Sequence, residues 1–337
     1  MRTKNAFMVL AAAAVLLIPG LSRGSDTVDQ DVSPRVKKIY LEPQQTLFDK
    51  GDFKSLVAVT VGFDDNAHLD SQRTADAYTQ QYFKTTFSSP MSKQTIWSLD
   101  YEIMNLAYFD ESDLDVISTA AHTGWEHKID KDVSVSGGYQ INVVEYINTG
   151  EDDFFEQAID LGWKQNLPNK MFHSIGYDGS YRNYSRRFND GPAGVSGGKK
   201  RDDIRNTFNY EIGRFLAKDM IKFNVEYYNN NSDEKYLNYY DYDSFKLGAS
   251  LTHLFTEKFF GYMSFAKQFR DYRSRTLSAD ASSLEEDRTY LIAAALFYTV
   301  NKSLSFGLNY SYRQNKSNEP SERYSGSLVS LSTYYRF

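Results

Sequence analysis

Charged side chains recur at every second position of segments whose other positions are apolar. Asp100 and Glu102 alternate with Leu99, Tyr101 and Ile103, and Glu156 and Asp160 alternate with Phe155, Ile159 and Leu161. A period of two puts charges on one face of an extended segment and hydrocarbon on the other. Such a face attracts, orients or screens solutes by charge. The acidic members are Asp100, Glu102, Glu126, Glu156, Asp160, Asp178 and Glu211, all in the first part of the chain. The basic members Lys222, Lys246, Arg270, Arg313 and Arg336 follow, with Lys164, Arg182 and Glu226 as exceptions to the segregation.

Bond-making chemistry has little footing. The histidines His68, His122, His127, His173 and His253 are scattered, with no HExxH motif. His122 and Glu126 share one face of their segment, an arrangement that an interior polar pair explains. The glycine-rich stretch 187–203 fails the spacing of a phosphate-binding loop, since Ala193 stands at its first glycine and Lys200 at its Ser or Thr. Cysteine is absent, so no thiolate metal site and no disulfide is available. No catalytic residue, cofactor or metal site is expected; a hydrolase assembled from separate strands is the least favoured reading.

The elements that must carry the charged rows are strands. From residue 54 onward the chain divides into fourteen candidates, at 54–63, 77–87, 95–108, 115–128, 133–147, 154–165, 172–186, 205–215, 221–229, 244–255, 259–272, 287–298, 304–314 and 324–337. Their lengths suit tilted strands that cross hydrocarbon. Short turns such as 130–132, 168–170, 217–219, 256–258 and 300–302 alternate with longer, acidic loops such as 64–76, 187–203, 230–243, 273–286 and 315–323. Short turns on one side and long loops on the other characterise an antiparallel up-and-down barrel with a periplasmic and an extracellular face. The expected fold is all-β, a transmembrane barrel of about fourteen strands over 54–337.

The flanks agree with this reading. Residues 1–24 have a charged start at Arg2 and Lys4, an apolar run from Ala6 to Ile18, and small residues Ser22 and Gly24, the pattern of a cleavable secretory signal peptide. Residues 25–53 would form a periplasmic segment. Beyond residue 24 no run of eighteen apolar residues occurs, and mean hydropathy is -0.55, which suits a barrel in which only alternate residues are apolar. Tyr 26 and Phe 23 provide aromatics for girdles at the two membrane interfaces. The formal charge is -6; removing Arg2, Lys4 and Arg23 with the signal takes away three positive charges and leaves -9. Nucleic acid is an unfavourable partner for such a chain.

In lipid the apolar row faces outward, so the charged row must line the interior and be hydrated or paired. Acidic rows on one side and basic rows on the other would set a transverse field across a wet lumen; the competing arrangement is mutual ion pairing that closes the barrel. The 187–203 loop is placed either folded inward or as a mobile surface loop. Acidic loop clusters, among them Asp110, Glu111 and Asp113, would bridge to lipopolysaccharide through divalent cations.

The terminal run Val329, Leu331, Thr333, Tyr335 and Phe337 ends on an aromatic residue, as in outer-membrane β-barrels of Gram-negative bacteria. Val57-Ala58-Val59-Thr60-Val61-Gly62-Phe63-Asp64-Asp65-Asn66 resembles the opening strand of barrels found with exopolysaccharide export, and is similar to the barrel part of surface-lipoprotein assembly modifiers. In those modifiers helical repeats precede the barrel; residues 25–53 stand in that place here. The resemblance implies an envelope location, traffic of a hydrophilic solute or polysaccharide, and contacts with outer-membrane lipid. It also implies handling by the barrel-assembly machinery through the strand ending at Phe337. The expected function is a polar, porin-like channel, with a closed structural or assembly barrel as the alternative.

Overall fold

A computed structural model describes residues 52–149, 153–188, 199–233 and 239–337. The signal peptide expected over 1–24 and the segment 25–53 lie outside these residues, except that Asp52 and Phe53 already belong to the first strand. Among the described residues fourteen strands follow one another: β1 (Asp52–Asp64), β2 (Asp76–Pro90), β3 (Thr95–Tyr108), β4 (Val116–Lys128), β5 (Val133–Tyr146), β6 (Phe154–Leu167) and β7 (Met171–Phe188). The second half comprises β8 (Lys199–Phe215), β9 (Asp219–Ser232), β10 (Tyr242–Leu254), β11 (Phe259–Thr276), β12 (Leu284–Thr299), β13 (Leu304–Ser317) and β14 (Tyr324–Arg336). Each strand pairs antiparallel with its neighbours in sequence, and β1 pairs with β14, so the sheet is a closed up-and-down barrel.

Closure follows from two end residues. Ser55 N–H donates to the Phe337 carbonyl at 2.9 Å, and Phe337 N–H donates back to Ser55 at 3.1 Å. From there the register runs from Leu56 opposite Arg336 to Asp64 opposite Leu328. A closed sheet leaves no edge, which hydrocarbon would not tolerate.

The alternation takes the expected sense. Val329, Leu331 and Tyr335 of β14 are exposed on the outside, whereas Leu328, Ser330, Ser332 and Tyr334 are buried inside. Likewise Phe306, Leu308 and Tyr310 of β13 face out, and Ser305 and Asn309 face in.

Strand boundaries differ from the expectation chiefly at the long-loop end. β8 begins at Lys199 rather than at 205, and β9, β11, β12 and β13 each extend three or four residues further toward that end. There both faces of the ladder carry polar residues, so hydrogen bonding continues after the two-residue hydrophobic signal has ended. Residues 189–198 of the glycine-rich loop lie outside the described residues; 199–203 are strand.

Tyrosines also line the interior. Tyr78, Tyr108, Tyr146, Phe154 and Tyr184 form a buried cluster with Leu106, Leu114, Val116, Val144 and Leu328, and Tyr228, Tyr242 and Tyr272 form another. Apart from Leu114, which lies in the loop between β3 and β4, they sit near the long-loop ends of their strands, on the inward face. The loop between β1 and β2 folds onto this layer. Asn66 Nδ2 donates to the carbonyls of Asp70 (2.8 Å) and Ser325 (3.0 Å), and Leu69 packs with Tyr324. Gly326 permits the approach, since a Cβ there would lie 3.0 Å from the Asn66 Cβ.

Candidate lumen site

The charged residues singled out from sequence all lie on the inward face of their strands, and they are brought together mainly between neighbouring strands. On β3, Asp100 accepts from Thr86 Oγ1 at 2.5 Å, and Glu102 accepts from Lys84 Nζ at 3.0 Å. Lys84 also lies 3.8 Å from Asp100. On β4, His122 is bound on both sides: its Nδ1 lies 3.5 Å from Asp100 and its Nε2 lies 2.9 Å from Asp160 on β6.

The reach from β4 to β6 requires an opening in β5. Gly138 lies opposite Asp160, and a Cβ there would stand 2.6 Å from Asp160 Oδ1 and closer still to the His122 ring. Asp178 of β7 stands opposite Asp160 in register, which places two carboxylates side by side. Glu126 shares the inward face with His122 but is four residues away, about 13 Å along a strand.

Further round the wall each acid finds a cation on the adjacent strand. Glu156 accepts from Arg182 Nε and Nη2 at 3.1 and 2.9 Å. Glu211 holds Lys222 Nζ at 3.0 and 3.2 Å, and Glu226 lies 3.6 Å from Lys246. These side chains are nearly all buried, and taking such charges from water is tolerable because each has an opposite charge in contact. Lys164 and Lys222 both approach the ring of Phe172.

Arginine dominates the inner surface near the long-loop end. Arg270 lies over Tyr242 at 4.8 Å and donates from Nη1 to Tyr272 at 3.3 Å; Arg313 lies over Tyr324 at 5.5 Å. Arg275 bridges Glu285 (2.9 Å) and Glu322 (3.0 Å). Arg336 faces inward at the opposite end, across from Leu56.

The acidic and basic halves are therefore not two facing rows. Lys84 sits among the acids of β3, and Glu226, Glu285 and Glu322 sit among the cations of β9 to β14. Sequence reading missed Lys84 because β2 carries polar residues on both faces, with Thr79, Gln81 and Thr85 against Gln80, Lys84 and Thr86. It missed Arg275 because the register shifts between Asp271 and Thr276, where a simple period of two fails.

Open space remains along the wall of β2 to β5. A small recess, open to solvent, is lined by Tyr82, Lys84, Asp100, Glu102, His122 and Gln140, with Met104, Ser118, Ala120 and Asn142. Both charge signs and the two amides Gln140 and Asn142 face it, a lining suited to small polar molecules.

No protein-family model matches the chain, and no curated protein does. Among solved structures it is similar to OmpT (in-vitro folded), an outer membrane protein of Vibrio cholerae, with a TM-score of 0.51 and 8% identity over 87% of this chain and 100% of that one. A Pseudomonas aeruginosa FadL homologue matches with a TM-score of 0.49 and 8% identity over 86% and 90%. The outer membrane channel DcaP of Acinetobacter baumannii matches with a TM-score of 0.49 and 9% identity over 85% and 97%. The likeness to the first is one of fold: this chain has the closed antiparallel barrel of an outer-membrane protein.

Proposed function

We propose that this chain is an exported Gram-negative outer-membrane barrel that passes small hydrophilic solutes along the inner wall of β2 to β6. The observation that carries the reading is the solvent-connected recess between Lys84, Asp100, Glu102 and His122 on the inner wall. Mixed charges along a wet polar wall orient a dipolar solute and screen by net charge. The selective lining is Asp100, Glu102, Asp160 and Asp178, balanced by Lys84 and His122. The more distant pairs Glu156–Arg182, Glu211–Lys222 and Glu226–Lys246 brace the wall. The signal peptide at 1–24, the assembly machinery at Phe337 and lipopolysaccharide at the acidic loops belong to the same proposal.

Conductance in planar bilayers tests it. Wild-type barrels are expected to conduct, and Lys84→Gln, which leaves Asp100 and Glu102 with less positive charge beside them, is expected to move the reversal potential toward cation preference. No conductance, or an unchanged reversal potential, would sink the assignment of this wall. A closed structural or assembly barrel is the second reading, favoured by the buried aromatic layer at the long-loop end. It predicts silent bilayers and a surface-assembly defect on deletion.

A further inference from the structure

At the long-loop end, two neighbouring loops bring His68, Glu111 and Asp113 together. The ligand atoms of the three side chains lie within 4.8 Å of one another, and His68 Nε2 stands 2.8 Å from Glu111 Oε2. Among the described residues this is the one group of three such side chains that converges so closely. We infer that it is a binding site for a borderline transition-metal ion of the zinc class, a site separate from the recess and independent of the conduit reading.

The donor set decides the class of ion. One imidazole and two carboxylates leave a net negative charge for a divalent cation to offset. An imidazole donor favours zinc-like ions, whereas calcium and magnesium favour sets made wholly of oxygen. Zinc bonds to nitrogen and oxygen of roughly 2.0 to 2.2 Å require the three atoms to close slightly around a common point, which small side-chain rotations achieve. Water would complete the shell, since the side chains are only partly buried, at 17% exposure for His68 and 28% for Glu111.

Both halves of the site are held by groups that are not ligands. Asp76 Oδ2 accepts from the N–H groups of Asp110 and Glu111, each at 2.9 Å. The short turn Ser112–Leu114 follows, anchored by the buried Leu114, and it sets Glu111 and Asp113 on either side of Ser112. His68 lies between buried Ala67 and Leu69, in the loop that Asn66 ties to Ser325. Donors held in place before the ion arrives lose little conformational entropy on binding.

A bound ion would join the loop folded over the barrel mouth to the loop between β3 and β4. Isothermal titration of the purified, folded full-length barrel in detergent with Zn²⁺ alone is the test. One ion per chain is expected to bind. His68→Ala and Asp113→Asn should each weaken binding by at least the roughly tenfold that even supporting residues of metal sites contribute. His253→Ala should leave it unchanged, because His253 has an imidazole–carboxylate contact with Asp219 at 2.6 Å but belongs to no such group of three. Co²⁺ should give visible absorption bands that His68→Ala abolishes, and far-UV circular dichroism checks that each variant keeps its strands. No stoichiometric zinc, zinc binding indifferent to His68→Ala, or calcium binding as tight as zinc would each overturn the inference.

Discussion

At the scale of single residues, Gly138 explains how the best-connected imidazole of the lumen is placed. His122 cannot reach Asp160 across an intervening strand unless the position between them lacks a side chain, and Gly138 supplies that gap. Gly138→Ala is expected to displace the His122 ring and break its contact with Asp160. The loss should be about 1.5 to 3 kcal/mol, the worth of a hydrogen bond to a charged group. Urea unfolding in lipid bilayers measures it, and a midpoint equal to wild type would show that the ring does not need the gap. Such a role is not written locally: glycine in a strand reads only as a weak point or a bulge, and its use depends on residues of the two flanking strands.

At the scale of elements, the long loops are organised by side chains rather than by ladder hydrogen bonds. The β11–β12 and β13–β14 loops are tied where Ser278 N–H and Oγ donate to Glu319 at 2.7 and 2.9 Å. These bonds hold the Glu319 carboxyl below its usual value of 4.5, the Ser278 amide having the largest influence. A carboxyl lowered in the folded state contributes stability above its unfolded pKa and loses it as pH falls through the folded one. The Ser278 amide should therefore stay protected from hydrogen exchange just below pH 4.5 and open on further acidification. Glu319→Gln should open it at neutral pH; equal protection in the variant would count against the tie. Asp280 in the same β11–β12 loop is lowered to about 2 by Ser283 and Ser282, so that loop keeps its own turn through the same range. The loops were legible in sequence as long, acidic connections, but their ties join residues some forty positions apart and leave no local pattern.

At the scale of the whole molecule, closure rests on the last residue. Deleting Phe337 removes its two backbone hydrogen bonds with Ser55 and exposes a strand end to lipid. The expected cost is about 1 to 3 kcal/mol, from two bonds of about 0.5 to 1.5 kcal/mol each. A lowered unfolding midpoint and slower folding into bilayers would register it, and unaltered values would place the seal elsewhere. Fourteen strands, their order and their inward and outward faces were readable from the chain because lipid on one side imposes a strict period of two, and turns of opposite length mark the two ends. The same rule sorted Asp100, Glu102, Glu156, Asp160, Lys222 and Lys246 onto one face. It was silent about which of them meet, because cross-strand partners depend on register, and register couples residues through the sheet rather than along the chain. Only the tertiary structure decided that Lys84 neutralises Glu102, that His122 lies between Asp100 and Asp160, that a layer of tyrosines fills the long-loop end, and that His68 meets Glu111 across two loops. Periodicity records the side of the wall on which a residue stands; contact depends on the closed curvature that brings the other side chains to it.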